Sequence, residues 1–323
     1  MQFSVVIPCH NAERWIGAAV ASVHAQTFPA HEIIVVDDSS TDGSVGIVRA
    51  SSGATRLLSC SARNAAAARN IGIHAATGDW IALLDADDVW YPNHLAQARE
   101  LLQKSGDRTY MSNHHWIGLQ SERLAIPDEH HCKLPAPAHS LDVEDFFHLA
   151  SNGFHFGHST VVYNRNAVLD AGLFDPSQKR RHDTDLWLRM ISGGGWTYDT
   201  AFTAGYRENT PNSISRAELE CDYFYLRTLT RNLGATPGPA QLRYLARQCR
   251  RALGISMTCG DAEHYSRVRD LAMPHLSWKL RVSYGIAERA PHLAASMLKA
   301  KRYMSQRMSS GGPDNAMPGA GHG

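Results

Sequence analysis

Trp80-Ile81-Ala82-Leu83-Leu84-Asp85-Ala86-Asp87-Asp88 is the stretch that decides how this chain folds. Five apolar residues in a row read as a buried strand, and three carboxylates follow within four positions. Carboxylates at the end of a buried strand are costly unless something compensates them. A divalent cation does so, because hard cations prefer oxygen. Magnesium-type ions keep several waters and are held by one or two carboxylates plus substrate phosphates. The cluster therefore predicts a metal whose coordination a phosphorylated ligand completes.

Working outward, Phe3 to Ile7, Glu32 to Val36 and, more weakly, Arg56 to Ser59 also read as strands. Helices are expected over 12–26 (capped by Asn11), 44–50, 63–76 and 92–104, the last opened by Pro92. This βαβαβαβ order predicts an α/β fold, a mostly parallel sheet flanked by helices. Ligands in such sheets bind outside the carboxyl ends of the strands. Pro8-Cys9-His10-Asn11, Asp37-Asp38 and Asp85–Asp88 all fall at such ends and converge on one crevice.

Further on the pattern loosens. Residues 107–150 are histidine-rich and less regular, and 154–163 suggest one or two strands. A helix over 183–192 is stopped by Gly193-Gly194-Gly195, and 197–215 look irregular. From Arg216 helices are expected over 216–232, 238–253, 262–272, 276–289 and 292–308, followed by a Gly, Ser and Pro rich tail that reads as disordered. The expected division is 1–215 (halves 1–105 and 106–215), a C-terminal helical extension over 216–308, and a tail over 309–323.

Composition narrows the function classes. Net charge is +1 over 323 residues, so no global field recruits nucleic acid. No run of eighteen apolar residues predicts a transmembrane helix, and the N-terminus enters a strand rather than a signal peptide. Six scattered cysteines without a CxxC pair suit a reducing cytoplasm. The adjacent pairs His114-His115 and His130-His131 do not face one point, so they make a poor zinc site. Between Leu276 and Met308 seven Lys or Arg stand against one acid, Glu288, amid Trp278, Leu280, Val282, Tyr284 and Ile286. That stretch fits either a solvated helical face or peripheral contact with the inner face of a membrane through 276–308.

Four motifs, Ser4-Val5-Val6-Ile7-Pro8, Val35-Val36-Asp37-Asp38-Ser39-Ser40-Thr41-Asp42, Ala68-Arg69-Asn70-Ile71-Gly72 and Leu84-Asp85-Ala86-Asp87-Asp88, resemble family 2 glycosyltransferases of the GT-A fold. His182-Asp183-Thr184-Asp185-Leu186-Trp187-Leu188-Arg189 matches downstream, and the resemblance covers about 2–210. It implies a Rossmann-like nucleotide-diphospho-sugar transferase fold. It also implies an inverting, Mn2+- or Mg2+-dependent transfer from a nucleotide-diphosphate sugar, UDP by default, to a saccharide or lipid-linked acceptor hydroxyl in cell-surface polysaccharide or glycolipid biosynthesis.

The same resemblance assigns roles. Asp87 would contact the metal directly, and Asp85 would contact the ribose or reach the metal through water. Asp88 would orient the donor sugar or the metal shell; read from its neighbours alone, ahead of Val89-Trp90-Tyr91, it could be only a helix cap. Asp37 would accept from a uracil-like base, with Pro8, the Cys9 backbone and Asn11 around base and ribose. Arg69 and Arg207 would meet the diphosphate, with 195–215 as a lid that excludes water. Asp183 would be the general base, Asp185 a helix cap, and His155 and His158 acceptor contacts. Two residues depart from the family pattern: His182 stands where a glutamate is common, and His10 where a tyrosine is. Two other readings stay open, a GT-A module that binds nucleotide without transfer and a nucleotidyltransferase. The latter usually carries a glycine-rich basic loop after the first strand, which Pro8–Asn11 lacks.

Overall fold

A computed structural model describes residues 1–51, 53, 55–118, 139–152, 156–207, 218–258 and 261–289. The expectations for 130–131, 155, 208–215, 292–308 and 309–323 lie outside those residues.

Four parallel strands form the first half of one sheet. They are β1 (Phe3–Cys9), β2 (Glu32–Asp38), β3 (Thr55–Cys60) and β4 (Trp80–Leu83), ordered β3-β2-β1-β4. Joining them are α1 (Ile16–His24), α2 (Ser44–Ala50) and α3 (Ala65–Ala75). β1, β2 and β4 are buried along nearly their whole length, which is why their sequences run apolar instead of alternating. Val5, Ile7, Ile16, Val20, Ile33, Val35 and Leu84 share one core. Each such side chain contributes roughly 1.5–3 kcal/mol when buried.

Local chemistry sets the helix starts. α3 is capped by Asn64, whose Oδ1 accepts from the Ala67 N–H at 3.1 Å. Asn11 does not cap α1, contrary to expectation. It sits at φ 49, and its side chain accepts from the Thr41 N–H at 2.8 Å, so the helix begins only at Ile16. Gly72 lets α3 lie close on the sheet: a Cβ there would stand 2.3 Å from Val6 Cγ1.

The second half of the sheet is mixed. β5 (Val89–Trp90) is followed by α4 (His94–Ser105), which Gly106 ends at φ 73. β6 (Thr109–Ile117), β8 (Val162–Asn164) and β9 (Trp196–Arg207) continue the order as β4-β8-β6-β9-β5, and β7 (His139–Leu141) pairs with β9. β6 and β9 are parallel, while β8 and β5 run antiparallel to their neighbours.

Three expectations change here. The stretch expected to be irregular from 197 is largely the twelve-residue strand β9, so no lid spans 196–207. Residues 158–160 form a 3-10 turn before the short β8. Val89 and Trp90 join a strand, so Asp88 caps no helix.

α5 (Val143–Ser151), α6 (Arg165–Asp170), α7 (His182–Ser192) and α8 (Glu218–Arg231) complete this region. α8 is held to the segment before α7 by Gln178 Nε2, which donates to Phe224 O at 2.7 Å, and by an Arg231–Asp175 ion pair at 2.6 Å. α9 (Pro239–Thr258), α10 (Ala262–Ala272) and α11 (Trp278–Arg289) follow. Two compact units divide the chain, Met1–Leu245 and Ala246–Gly323. No described helix is long and apolar enough to cross a membrane.

Candidate active site

The aspartates after β4 do not all face the same way. The chain turns at once, with the Asp88 N–H donating to Asp85 O at 3.1 Å. Asp88 points inward at 1% exposure. Its Oδ1 accepts from the Arg207 N–H at 2.7 Å and its Oδ2 from Ser159 Oγ at 2.5 Å. Burial, reinforced by the Asp87 and Asp85 carboxylates, pushes the Asp88 pKa well above the ordinary carboxylate range. Asp85 and Asp87, unlike Asp88, are partly exposed.

Ser159 stitches this turn from the 3-10 segment. Its Oγ accepts from the Asp85 N–H at 3.0 Å while donating to Asp88, and its carbonyl accepts from Trp90 Nε1 at 2.6 Å. Nothing in the sequence around Ser159 announces this, because all three partners lie about seventy residues away.

Arg69 joins the aspartates to α7. It is 6% exposed, on α3. Its Nη2 donates to Asp85 Oδ1 at 2.5 Å and its Nη1 to His182 Nε2 at 2.9 Å. Asn70 beside it exchanges two hydrogen bonds with Phe174, at 2.8 and 3.0 Å, which fastens the segment leading to α7. Burial, then the Arg69 charge, pushes His182 down to about 4. Asp183 lies in the first turn of α7, where the helix dipole favours a negative charge. Burial raises its pKa, but His182, His158, Arg181 and the Thr184 N–H outweigh that and hold it below the ordinary value.

His158 stands over the same region, 6% exposed, its ring 6.5 Å from that of His182 and 5.6 Å from Phe174. Both its ring nitrogens are buried without a hydrogen-bond partner in the structure. Burial, then Arg69, holds its pKa well down.

The ends of β1 and β2 form the other wall. Cys9 and Asp37 are in register. Asp37 is 6% exposed; its Oδ2 accepts weakly from the Ser40 N–H at 3.4 Å, and its buried Oδ1 has no partner. Asp38, by contrast, is fully used, accepting from the Arg63 and Asn64 N–H groups at 2.8 and 2.7 Å. Pro8 is partly buried in register with Val36. His10 donates from Nδ1 to Asp38 O at 2.7 Å, and the Asn11 N–H donates to Ser40 Oγ at 2.9 Å.

Arg207, expected at a diphosphate, directs two of its guanidinium nitrogens to backbone carbonyls. Nε donates to Asp87 O at 2.8 Å and Nη1 to Gly118 O at 3.1 Å. Asp185, expected as a cap, is buried and pairs with Arg189 at 2.8 Å inside α7.

The donor set fits a hard divalent ion. Among the described residues no group of three or more His, Cys, Asp or Glu is arranged to hold an ion alone. Two accessible carboxylates, Asp85 and Asp87, are what a magnesium-type ion uses when substrate phosphates supply the rest.

Comparison with known proteins follows the same line. The family model described as glycosyl transferase family 2 matches residues 4–170, just over half of the chain. The amylovoran biosynthesis glycosyltransferase AmsB of Erwinia amylovora is 33% identical over 202 residues, 58% of this chain and 64% of that protein. The UDP-Glc:alpha-D-GlcNAc-diphosphoundecaprenol beta-1,3-glucosyltransferase WfgD of Escherichia coli is 34% identical over 120 residues, 36% and 47% of the two chains. The chain thus spans less than two thirds of the length of these curated relatives. Among solved structures, S. aureus TarS 1–349 in complex with UDP-GlcNAc is 16% identical with a TM-score of 0.70, over 94% of this chain and 92% of that one, which is a likeness of fold.

Proposed function

This chain belongs to glycosyl transferase family 2, and we propose that it moves a sugar, with inversion, from a UDP-sugar to an acceptor hydroxyl in polysaccharide or glycolipid assembly. One observation carries the reading: Arg69 bridges Asp85 and His182. It thereby brings the carboxylates after β4 and the start of α7 to a single site.

Asp87 and Asp85 are the residues that would hold Mn2+ or Mg2+, which supplies Lewis-acid relief of charge on the departing nucleoside diphosphate. Asp37 offers its open buried oxygen to a base N–H, a charge-assisted and therefore selective bond. Pro8, the Cys9 backbone and Asn11 border the same pocket. Arg69 stabilises Asp85 and stands ready for a phosphate oxygen once the carboxylate is otherwise engaged. Asp88 and Arg207 hold the shape of the aspartate turn from behind and need not touch the donor.

Asp183 takes the proton from the acceptor hydroxyl. Its depressed pKa keeps it ionised at neutral pH, as a general base requires. His158 offers two unused ring nitrogens beside it, suited to an acceptor hydroxyl. A saccharide carried on a lipid diphosphate is the acceptor class we favour, supported by what the WfgD name specifies for that relative.

The test is nucleoside diphosphate release from a panel of UDP-, GDP- and dTDP-sugars with candidate acceptors, with and without Mn2+. Asp183→Asn is expected to lower kcat roughly 10²–10⁴-fold while nucleotide binding persists. Turnover unchanged in Asp183→Asn, or unaffected by chelation, overturns the reading. Binding without any transfer would mark a nucleotide-binding module instead.

A further inference from the structure

Charge is divided unevenly along this chain. Residues 246–323 carry twelve Lys and Arg against five Asp and Glu, a net of +7, whereas residues 1–245 carry twenty against twenty-six, a net of −6. The division falls where the two compact units meet in the sequence. The near-zero charge of the whole therefore conceals a cationic unit. A domain of that charge attracts anionic surfaces that come within about a Debye length of it.

Within the second unit α11 adds the other half of the signal. Trp278 is 70% exposed and Val282 54%, the two most exposed large hydrophobics among the described residues. With Arg281 they stand at i, i+3 and i+4, on one helical face. Lys279 lies beside them, its ammonium 5.8 Å from the Trp278 ring centroid. Arg281 is anchored by donating to Leu276 O at 2.8 Å and Pro274 O at 2.7 Å. That bonding fixes a basic group beside the exposed apolar pair. Arg247, Arg250 and Arg251, also exposed, carry further positive charge in the same unit, on α9.

We infer that α11 docks this protein on an anionic phospholipid surface, with Trp278 and Val282 entering the interfacial layer and Lys279 and Arg281 facing the headgroups. The chemistry selects this partner over two others. Nucleic acid would answer the charge, but it gives an exposed Val282 nothing to bury against. A second copy would cover the apolar pair, but it would bring two units of net +7 together. A tryptophan flanked by cations matches the membrane interface, where an amphipathic ring settles at headgroup depth. The inference rests on charge and exposure alone and stands whether or not the proposed transfer reaction is right.

Flotation of the full chain with phosphatidylcholine vesicles, with and without phosphatidylglycerol, tests it. Each basic side chain near an anionic surface strengthens binding about fivefold. The expected result is at least about tenfold stronger partition to the anionic vesicles, abolished by high salt. Trp278→Ser with Val282→Ser should lower that partition about tenfold or more, and Lys279→Glu should lower it separately. Both variants should keep the wild-type melting temperature and nucleotide affinity, since the side chains changed are exposed. Equal partition to neutral and anionic vesicles overturns the inference. So does undiminished binding by the double variant, equal affinity for double-stranded DNA, or a dimer that the double variant dissolves.

Discussion

Arg69 Nη1 donates to His182 Nε2 across 2.9 Å, although the two residues are 113 positions apart in the chain. Arginine has no acceptor, so the imidazole must accept at Nε2 and carry its proton on Nδ1. The same guanidinium holds Asp85 with its other nitrogen. One side chain on α3 therefore fixes both a carboxylate after β4 and the imidazole that precedes Asp183.

Arg69→Ala should be costly in proportion to that double duty. Breaking a buried ion pair costs roughly 3–5 kcal/mol, but Asp85 remains 23% exposed, so about 2 kcal/mol is expected. Arg69→Lys should recover little of it, because an ammonium cannot span two acceptors in the fixed fork of a guanidinium. Urea unfolding of the three proteins measures both effects. A lysine variant as stable as wild type would mean that the bridge is ornamental.

Ser159 offers a sharper probe of the aspartate turn. Ser159→Ala leaves a buried Asp88 oxygen and the Asp85 N–H unpaired, at about 1–3 kcal/mol. Because the turn then loosens, Mn2+ affinity in the presence of a nucleoside diphosphate should fall about 10–100-fold, as when an orienting partner of a metal ligand is lost. Calorimetry reads the affinity directly, and an unchanged value would separate Ser159 from the proposed metal.

The contrast between what the sequence disclosed and what it hid follows from distance. β1, β2 and β4 announced themselves because strands buried on both faces become unbroken apolar runs. The helix over 44–50 and the carboxylates at the strand ends were equally legible, being local. β9 was not, since Thr197, Asp199 and Thr203 interrupt its apolar pattern and its parallel partner β6 lies about ninety residues earlier in register. Asp88 looked like a cap for the same reason: its real partners, Ser159 and Arg207, are 71 and 119 positions away. Asp37 and Asp38 are neighbours in sequence, yet only the hydrogen bonds show that Asp38 is used up and Asp37 is not.

Stability should fall with acid well before the carboxylates titrate. His94 is fully buried, its Nδ1 bonded to Thr203 Oγ1 at 2.7 Å, and burial pushes its pKa from 6.5 down to about 3. The folded state keeps it neutral while the unfolded chain protonates it below pH 6.5. Its contribution is therefore complete above pH 6.5 and shrinks as pH falls toward 3, by up to about 1.4 kcal/mol per unit. His158 and His182 are displaced in the same direction and add to the slope. Urea midpoints from about pH 7 to about pH 4 should fall less steeply in His94→Gln than in wild type. Parallel lines would exclude His94 as a source.

His182 should also show itself in the pH dependence of turnover. Burial drives the Asp183 pKa up, and His182, which gains its proton only as pH falls toward about 4, is the largest influence pulling it back down in the acid range where that carboxylate titrates. Removing the imidazole in His182→Ala takes that pull away, so the Asp183 pKa rises. A base with a higher pKa is protonated, and idle, at a higher pH. The acidic limb of kcat/KM, which reports the free enzyme, should therefore move toward neutrality in the variant. His182→Ala also deprives the buried Arg69 of an acceptor, so some loss of stability accompanies the shift. A stability defect alone would lower the whole profile without moving its acidic limb. An unmoved limb with a lowered plateau would thus show that His182 supports Arg69 and does not tune Asp183.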